Sequence, residues 1–208
     1  MSPCRATMRA AIGIRAHSGW AAVVAAAGDS HGVRVLERQR IAAVDSAGFR
    51  ANQPYHFVEK LPLDEAQGHL DRCEKTAVRL ATAGLESIVK SLGETGHRVV
   101  GCGILQASGR PLPELGSILA SHAMIHTAEG EFFRDAFARA CEQLGIPVSK
   151  IRERELFDRA SAELRTTGAR LKTKVTKLGR ELGPPWTQDQ KGATLAAWLL
   201  LAGEKRRR

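Results

Sequence analysis

The densest group of titratable side chains lies in one short segment, residues 121–131. His122, His126 and Glu129 are spaced by four and three residues, so a continuous helix would present them on one face. Two imidazoles and a carboxylate are ligands that zinc and other transition metals accept. The spacing therefore predicts a metal or acid–base site. It does not indicate a zinc peptidase, because Ala123 stands where the motif His-Glu-x-x-His needs its glutamate.

The same segment also has structural interpretations. Both histidines continue the apolar stripe of Phe133 and Phe137, so either could be a core histidine bonded to a backbone carbonyl. Alternatively, Thr127 could cap a new helix that begins there. Glu129 and Glu131 would then lie in its first turn, where carboxylates complement the helix dipole. The sequence leaves these alternatives open.

A second polar group follows the turn sequence Gly-Pro-Pro-Trp. Thr187 with Gln190 three residues later is a capping-box pattern, which predicts a final helix. The first turn of this helix carries Asp189 and Lys191, an acid and a cation that could act in catalysis by transferring protons or holding an anion. Trp186 is a candidate substrate-binding residue. Trp186 could instead plug the core, and Asp189 could serve only the helix dipole.

The positive charge of the chain is concentrated in its C-terminal part. The net charge is +9, and residues 152–208 carry 14 Lys/Arg against 7 Asp/Glu. Candidate nucleic-acid-binding residues are Arg165, Arg170, Lys172, Lys174, Lys177 and Arg180, together with the basic tail 204–208. Contacts of this kind are made to phosphates and weaken steeply with salt. A solvated helix face is the alternative, and an aromatic content of 5% offers few stacking platforms.

Length and composition predict one globular domain at 1–203 followed by the short tail. The chain has 208 residues, of which 43% are hydrophobic and 25% charged, as is usual for soluble proteins. No apolar run approaches the roughly 20 residues that cross a bilayer, and the start of the chain lacks signal-peptide features. We therefore expect a cytoplasmic protein without a membrane partner. Its four dispersed cysteines, expected to be reduced thiols, are Cys4, Cys73, Cys102 and Cys141.

The elements that must position these residues can be predicted from apolar patterns. Residues 10–15, 19–27 and 33–44 are rich in β-branched and small apolar residues and are separated by turn residues, which indicates three consecutive antiparallel strands. Residues 63–92 repeat apolar side chains at helical spacing. Residues 98–105 form a short continuous apolar run, which is typical of a parallel strand covered on both faces.

The rest of the chain continues the alternation. A helical pattern ends at Gly145, residues 147–152 form a fifth strand, and the remainder is helical with a break before Trp186. The predicted order is β-β-β-α-β-α-β-α-α. This order resembles that of the ribonuclease H-like superfamily. The segment Gly-Ile-Arg-Ala-His-Ser-Gly-Trp-Ala at 13–21 is similar to the first hairpin of RuvC-type Holliday-junction resolvases, and Gly-Ile-Pro-Val at 145–148 to the start of their fifth strand.

The resemblance spans nearly the whole chain and implies an α/β fold. The expected architecture is a five-stranded mixed sheet of order 3-2-1-4-5 with helices on both faces. In this fold, the first hairpin turn, the loop after strand four and the start of the last helix meet at the carboxyl edge of the sheet, where ligands bind. The resemblance therefore adds His17 and Ser18 as candidate substrate-binding residues beside His126, Glu129 and Asp189.

The resemblance also implies which residues a nuclease of this kind would need. Nucleases of this superfamily hold two metal ions with carboxylates from strand one, the end of strand four and the last helix. Strand one here reads Ile-Arg-Ala at 14–16, strand four reads Gly-Cys-Gly-Ile-Leu-Gln at 101–106, and only Asp189 falls where the family keeps a carboxylate. One acidic ligand does not hold two hard cations. The chain is thus expected to be a divergent member that is not an active two-metal nuclease.

Three functions remain open at this point. The first is a binding or scaffold protein. The second is a divergent enzyme with a His/Glu/Asp site at the carboxyl edge, and the third is a non-specific nucleic-acid-binding protein that uses its C-terminal basic helices. The sequence identifies no cofactor, ligand or oligomeric state.

Overall fold

The computed structural model describes residues 7–45 and 51–203, so the predicted basic tail lies outside the described residues. The described strands form a five-stranded sheet of order β3-β2-β1-β4-β5, which confirms the predicted order. The strands are β1 Met8–His17, β2 Trp20–Asp29, β3 Gly32–Ala42, β4 His97–Gln106 and β5 Val148–Arg152.

The helices are more numerous than the sequence pattern predicts. They are α1 Pro54–Val58, α2 Leu63–Glu94, α3 Leu115–Leu119, α4 His122–Gln143, α5 Leu156–Glu163, α6 Gly168–Leu182 and α7 Gln188–Gly203, with a 3-10 turn Glu153–Glu155 before α5. Helices α1 and α3 were not predicted because five residues are too few to show a helical period. Among the described residues, no helix has both the length and the apolar composition that a membrane span requires.

Strand register brings five chain segments to one edge of the sheet. β1 pairs antiparallel with β2, with His17 opposite Trp20, and parallel with β4. β3 returns antiparallel to β2, and β5 runs parallel to β4. The ends of β1, β3, β4 and β5 and the start of β2 therefore lie at the same edge, which we call the carboxyl edge. The candidate residues of the first hairpin and of the segment after β4 are positioned there.

The sheet is covered by helices on both faces, as predicted. On one face, Ile12 and Ile14 of β1 belong to a core that includes Leu85 of α2 and Phe133 of α4. On the other face, Ala11 packs with Ala197 and other residues of α7, and α5 and α6 pack beside α7. Successive residues of β1 thus point alternately toward α4 and toward α7.

Helix α7 lies directly on the backbone of the central strands. A Cβ atom added at Gly13 would be 1.7 Å from the carbonyl oxygen of Ala193, and one added at Gly103 would be 3.0 Å from that of Ala196. Because no side chain separates strand and helix at these positions, the first turns of α7 are held close to the end of β1. Half of the predicted capping box is present, because the Thr187 N–H donates to Gln190 Oε1 at 2.9 Å. The Thr187 Oγ1 accepts from the N–H of Asp189 at 3.2 Å, one residue before the position that the box uses.

A single arginine of β3 holds the loop between α6 and α7. The guanidinium of Arg38 donates to the carbonyl oxygens of Leu182, Gly183 and Pro184 at 2.8, 2.9 and 3.1 Å, and also to that of Pro185. Carbonyls at a helix C-terminus have no partners within the helix. Arg38 therefore both caps α6 and fixes the path of the chain into α7.

The described cysteines are free thiols, as expected. Cys102 and Cys141 are buried and Cys73 is half-buried, whereas Cys4 lies outside the described residues. Burial, together with a hydrogen bond to Cys141, raises the pKa of the Cys102 thiol well above its usual range. This thiol therefore remains protonated and packs as an apolar group.

Candidate functional site

One group of ionisable side chains at the carboxyl edge surrounds Arg15, near the end of β1. Arg15 Nη1 donates to Asp189 Oδ1 at 2.8 Å, and Arg15 Nη2 donates to Glu153 Oε1 at 2.6 Å. His17 Nε2 lies 3.1 Å from the same Asp189 oxygen, and its ring stacks on Trp20 with centroids 4.3 Å apart. We call Arg15, His17, Glu153 and Asp189 the arginine cluster.

The fold explains why these residues meet. Arg15 and His17 alternate with the core residues of β1 and so share the face of Gly13, on which α7 lies. The first turn of α7 supplies Asp189, and the turn after β5 supplies Glu153. The side chains of Arg15 and Asp189 are only 25% and 22% exposed, so this ion pair is partly shielded from water. The cluster is a guanidinium shared by two carboxylates.

A second group forms where α1 meets the start of α4. His122 is the first residue of α4 and His126 lies one turn later, and their Nε2 atoms are 3.1 Å apart. His56 of α1 completes the group, with ring centroids 5.2 Å from His122 and 4.7 Å from His126. One ligand nitrogen from each ring lies within 4.8 Å of the other two. We call His56, His122 and His126 the histidine cluster.

A buried carboxylate lies behind the histidine cluster. Glu129 of α4 is 4% exposed and accepts a hydrogen bond from the backbone N–H of His56 to Oε1 at 3.3 Å. Its Oε2 lies 2.9 Å from His56 Nδ1, an ion-pair distance, although the angle at this buried nitrogen falls outside that of a hydrogen bond. Glu129 therefore binds the backbone of α1 and faces the inner nitrogen of the His56 ring.

A neighbouring phenol is kept neutral. Burial raises the pKa of Tyr55, the residue before His56, and the carboxylates of Glu74, Asp135 and Glu129 raise it further. The Tyr55 ring packs edge-on against Phe132 with centroids 6.1 Å apart. Tyr55 anchors α1 on α4 as an apolar group.

The structure divides the predicted site between two faces of the sheet. His122, His126 and Glu129 lie together on α4 as the helical spacing predicts, whereas Asp189 lies in the arginine cluster with His17. Among the residues that the structure describes, no hydrogen bond, ion pair or ring contact joins Asp189 to the histidine cluster. The reason is that α4 and α7 cover opposite faces, so their first turns flank the edge from opposite sides.

Both structural alternatives for the segment are wrong. Helix α4 runs continuously from His122, and the Thr127 hydroxyl donates to the Ala123 carbonyl within it at 2.9 Å, so Thr127 does not begin a helix. His122 and His126 are exposed instead of being part of the core. Glu129 lies beyond the first turn and is buried.

Three other candidate residues lie close in sequence to members of the arginine cluster. Ser18 is exposed in the turn between β1 and β2, and Lys191 is half-buried in α7. Trp186 is half-buried, its indole N–H donates to the Val175 carbonyl at 3.0 Å, and its ring covers Gly179, where a Cβ would be 2.1 Å from it. Trp186 thus packs on α6, as its interpretation as a core plug predicts.

The candidate nucleic-acid-binding residues form an exposed basic surface. Arg170, Lys172, Lys174, Lys177 and Arg180 are all exposed on α6, whose opposite side buries Leu171, Val175 and Gly179. Arg165, in the connection before α6, is also exposed. We call Arg165 and the five cationic residues of α6 the basic surface.

Sequence reasoning missed His56 and the role of Arg15. His56 belongs to a five-residue helix and is far in sequence from His122 and His126. The one local signal of this helix was Pro54 at its first position, since proline favours a helix start. The role of Arg15 was readable from strand alternation, which places it on the face of Asp189. In the sequence, Arg15 was noted only because strand one has no aspartate there.

No protein-family model matches the chain, and no curated protein matches it in sequence. Two solved structures are similar in fold. One is RuvC from Thermus thermophilus in complex with a Holliday junction substrate, with 13% identity, a TM-score of 0.50 and coverage of 92% of this chain and 91% of that chain. The other is the Thermus thermophilus RuvC structure, with 14% identity, a TM-score of 0.50 and coverage of 91% and 92%. The chain therefore has the ribonuclease H-like fold of RuvC.

Proposed function

We propose that the protein binds nucleic acid through this fold without cleaving it. The observation that carries the proposal is the position of Arg15, whose guanidinium lies between Asp189 and Glu153 at the end of β1. Nucleases of this fold class hold two metal ions there with carboxylates. Here Asp189 and Glu153 are already paired with a permanent cation, Arg15, which competes with metal ions for these carboxylates.

Electrostatics supports this interpretation. A guanidinium is a permanently charged group in proteins, so Arg15 places a fixed positive charge at this edge. It repels a divalent cation at short range and uses the carboxylate oxygens that a metal ion would need as ligands. The arginine cluster is thus suited to holding the carboxyl edge together and unsuited to two-metal hydrolysis.

The basic surface supports the nucleic-acid part of the proposal. Helix α6 carries five Lys/Arg and one Asp/Glu, and its cationic side chains are exposed to solvent. Such a surface neutralises phosphates without reading sequence. The similar RuvC structure that was solved with a Holliday junction substrate makes branched DNA the first ligand to test.

We expect the purified full-length chain to leave four-way junctions, duplexes and single strands intact with Mg²⁺ or Mn²⁺. The expectation follows from the Arg15 guanidinium, which is already paired with Asp189 and Glu153, and gel analysis of labelled strands measures it. Metal-dependent cleavage that persists through purification and is lost in Asp189→Asn would contradict the proposal.

We expect charge reversal at Lys172, Lys174 and Lys177 to weaken DNA binding by roughly tenfold or more. The salt slope should fall by about one for each phosphate that the variant no longer neutralises. Fluorescence anisotropy with labelled junctions and duplexes over a range of salt measures both effects. The matched control is the same charge reversal at three exposed cations of α2 on the opposite face, Lys75, Arg79 and Lys90.

The α2 control shows whether a loss of DNA affinity comes from the basic surface itself or from the change in net charge. Loss of affinity only in the α6 variant supports the basic surface as the binding site. Equal losses in both variants, or no binding by the unmodified chain, would refute it.

A further inference from the structure

We propose that His56, His122 and His126 bind one divalent transition-metal ion, with Zn²⁺ as the best fit, and that the buried Glu129 positions the ligands. This site is separate from the arginine cluster and from the basic surface. It therefore does not depend on nucleic-acid binding.

The spacing of the ring nitrogens matches a mononuclear site. Zinc–nitrogen bonds of about 2.0–2.1 Å in tetrahedral geometry place two ligand nitrogens about 3.3–3.4 Å apart. The Nε2 atoms of His122 and His126 are 3.1 Å apart. One nitrogen from each of the three rings lies within 4.8 Å of one nitrogen from each of the other two. Small side-chain rotations would bring all three nitrogens to bonding distance around one ion.

The contact between His122 and His126 also supplies the required lone pairs. Two ring nitrogens 3.1 Å apart can share only one proton, so at least one of them presents a lone pair to the other. A metal ion between the rings would use the Nε2 lone pairs of both, and a ring that carried its proton on Nε2 would carry it on Nδ1 instead. Both rings are exposed, which gives an ion access from solvent.

Glu129 prepares the third ligand. Its Oε1 accepts from the backbone N–H of His56, and its Oε2 lies 2.9 Å from His56 Nδ1 without the angle of a hydrogen bond. A small rotation of the ring would form that hydrogen bond and leave Nε2 as the ligand atom. Metal-binding histidines commonly direct their second nitrogen toward a carboxylate, which fixes the tautomer and raises ligand basicity. The buried negative charge of Glu129 also offsets part of the charge of a dication. Glu129 is therefore a positioning residue, in contrast to the direct ligand that the sequence suggests.

The ligand set determines the class of metal. Imidazole nitrogens favour zinc, copper, nickel or cobalt, whereas Mg²⁺ and Ca²⁺ prefer oxygen ligands. Three protein ligands leave the fourth position of a tetrahedral ion for water or another small ligand, as in catalytic zinc sites. A water molecule bound there would become more acidic.

The test is competition for Zn²⁺ between the full-length chain and a chromogenic chelator, with Co²⁺ substitution to report coordination through its visible spectrum. We expect one ion per chain and a four- or five-coordinate cobalt spectrum. Affinity should fall roughly tenfold or more in His122→Ala and in His126→Ala, and about 10–100-fold in Glu129→Gln. His31→Ala, at an exposed histidine in the turn between β2 and β3, is the matched control and should bind as tightly as the unmodified chain.

The two exposed ligands keep the test decisive, because their replacement leaves the core unchanged and circular dichroism verifies folding of every variant. Zinc affinity that falls in the cluster variants and not in His31→Ala supports the site. Absence of zinc binding, equal loss in His31→Ala, or unchanged affinity in His122→Ala and His126→Ala would overturn it. DNA binding measured in the same variants should not change, which separates this site from the proposed function.

Discussion

Replacing Gly13 with alanine should lower the free energy of unfolding by about 3 kcal/mol or more. The new methyl group would lie 1.7 Å from the Ala193 carbonyl oxygen, a backbone atom that cannot rotate away. Helix α7 must then move off the sheet, and the contacts of Asp189 with Arg15 and His17 would be disturbed with it. Urea denaturation followed by far-ultraviolet circular dichroism measures the loss.

The matched control for this substitution is Gly93→Ala in α2. A Cβ at Gly93 meets no atom within 4 Å, and alanine in a helix is favoured over glycine by about 0.5–1 kcal/mol. We therefore expect Gly93→Ala to be neutral or slightly stabilising. Equal stabilities of the two variants would mean that α7 does not pack directly on β1.

Replacing Arg38 with alanine should cost roughly 2–4 kcal/mol of stability. A hydrogen bond to a charged group contributes at most about 1.5–3 kcal/mol, and here two bonds are only part-buried and two are exposed to water, so their contributions do not add in full. The half-buried Arg38 donates to four carbonyls between α6 and α7. Arg38→Lys should recover little of this loss, because an ammonium group lacks the planar fork that reaches several acceptors. Thermal and urea unfolding of both variants test the expectation.

The exposed Arg34 of the same strand provides the control for Arg38. Because Arg34→Ala removes an equal charge from an exposed position, it should change stability by no more than about 0.5 kcal/mol. A full rescue by Arg38→Lys would show that charge, and not the geometry of the guanidinium, stabilises the loop.

The strands and long helices could be predicted because their apolar patterns are local. The three antiparallel strands at the start of the chain could be predicted from residues 10–44. The strand order of the sheet was predicted from the resemblance in element order. The short helix α1 could not be predicted, since its five residues carry no period. That helix brings His56 to α4, so sequence spacing could not show that His56 belongs to the histidine cluster.

The candidate site was predicted only in part, because sequence spacing shows neither burial nor the face of the sheet on which a helix lies. Helical spacing placed His122, His126 and Glu129 on one helix, and their forming a site stays a prediction. The spacing gave no burial, and burial separates the exposed histidines from the inward carboxylate. Asp189 was expected beside them because both helices begin at the carboxyl edge. The sheet lies between the two helices, and Asp189 instead pairs with Arg15 of the strand beneath α7.

Among the described strands, β3 and β5 are the outermost of the sheet, and the outer edge of a sheet can pair with strands of other molecules. Exposed backbone of this kind promotes association unless charge, shortness or cover opposes it. β3 carries Arg34 and Arg40 as exposed cations, and its Arg38 is bound to the loop before α7. β5 has only five residues and carries the exposed cations Lys150 and Arg152. The open sheet is therefore built with its own protection against edge-to-edge aggregation.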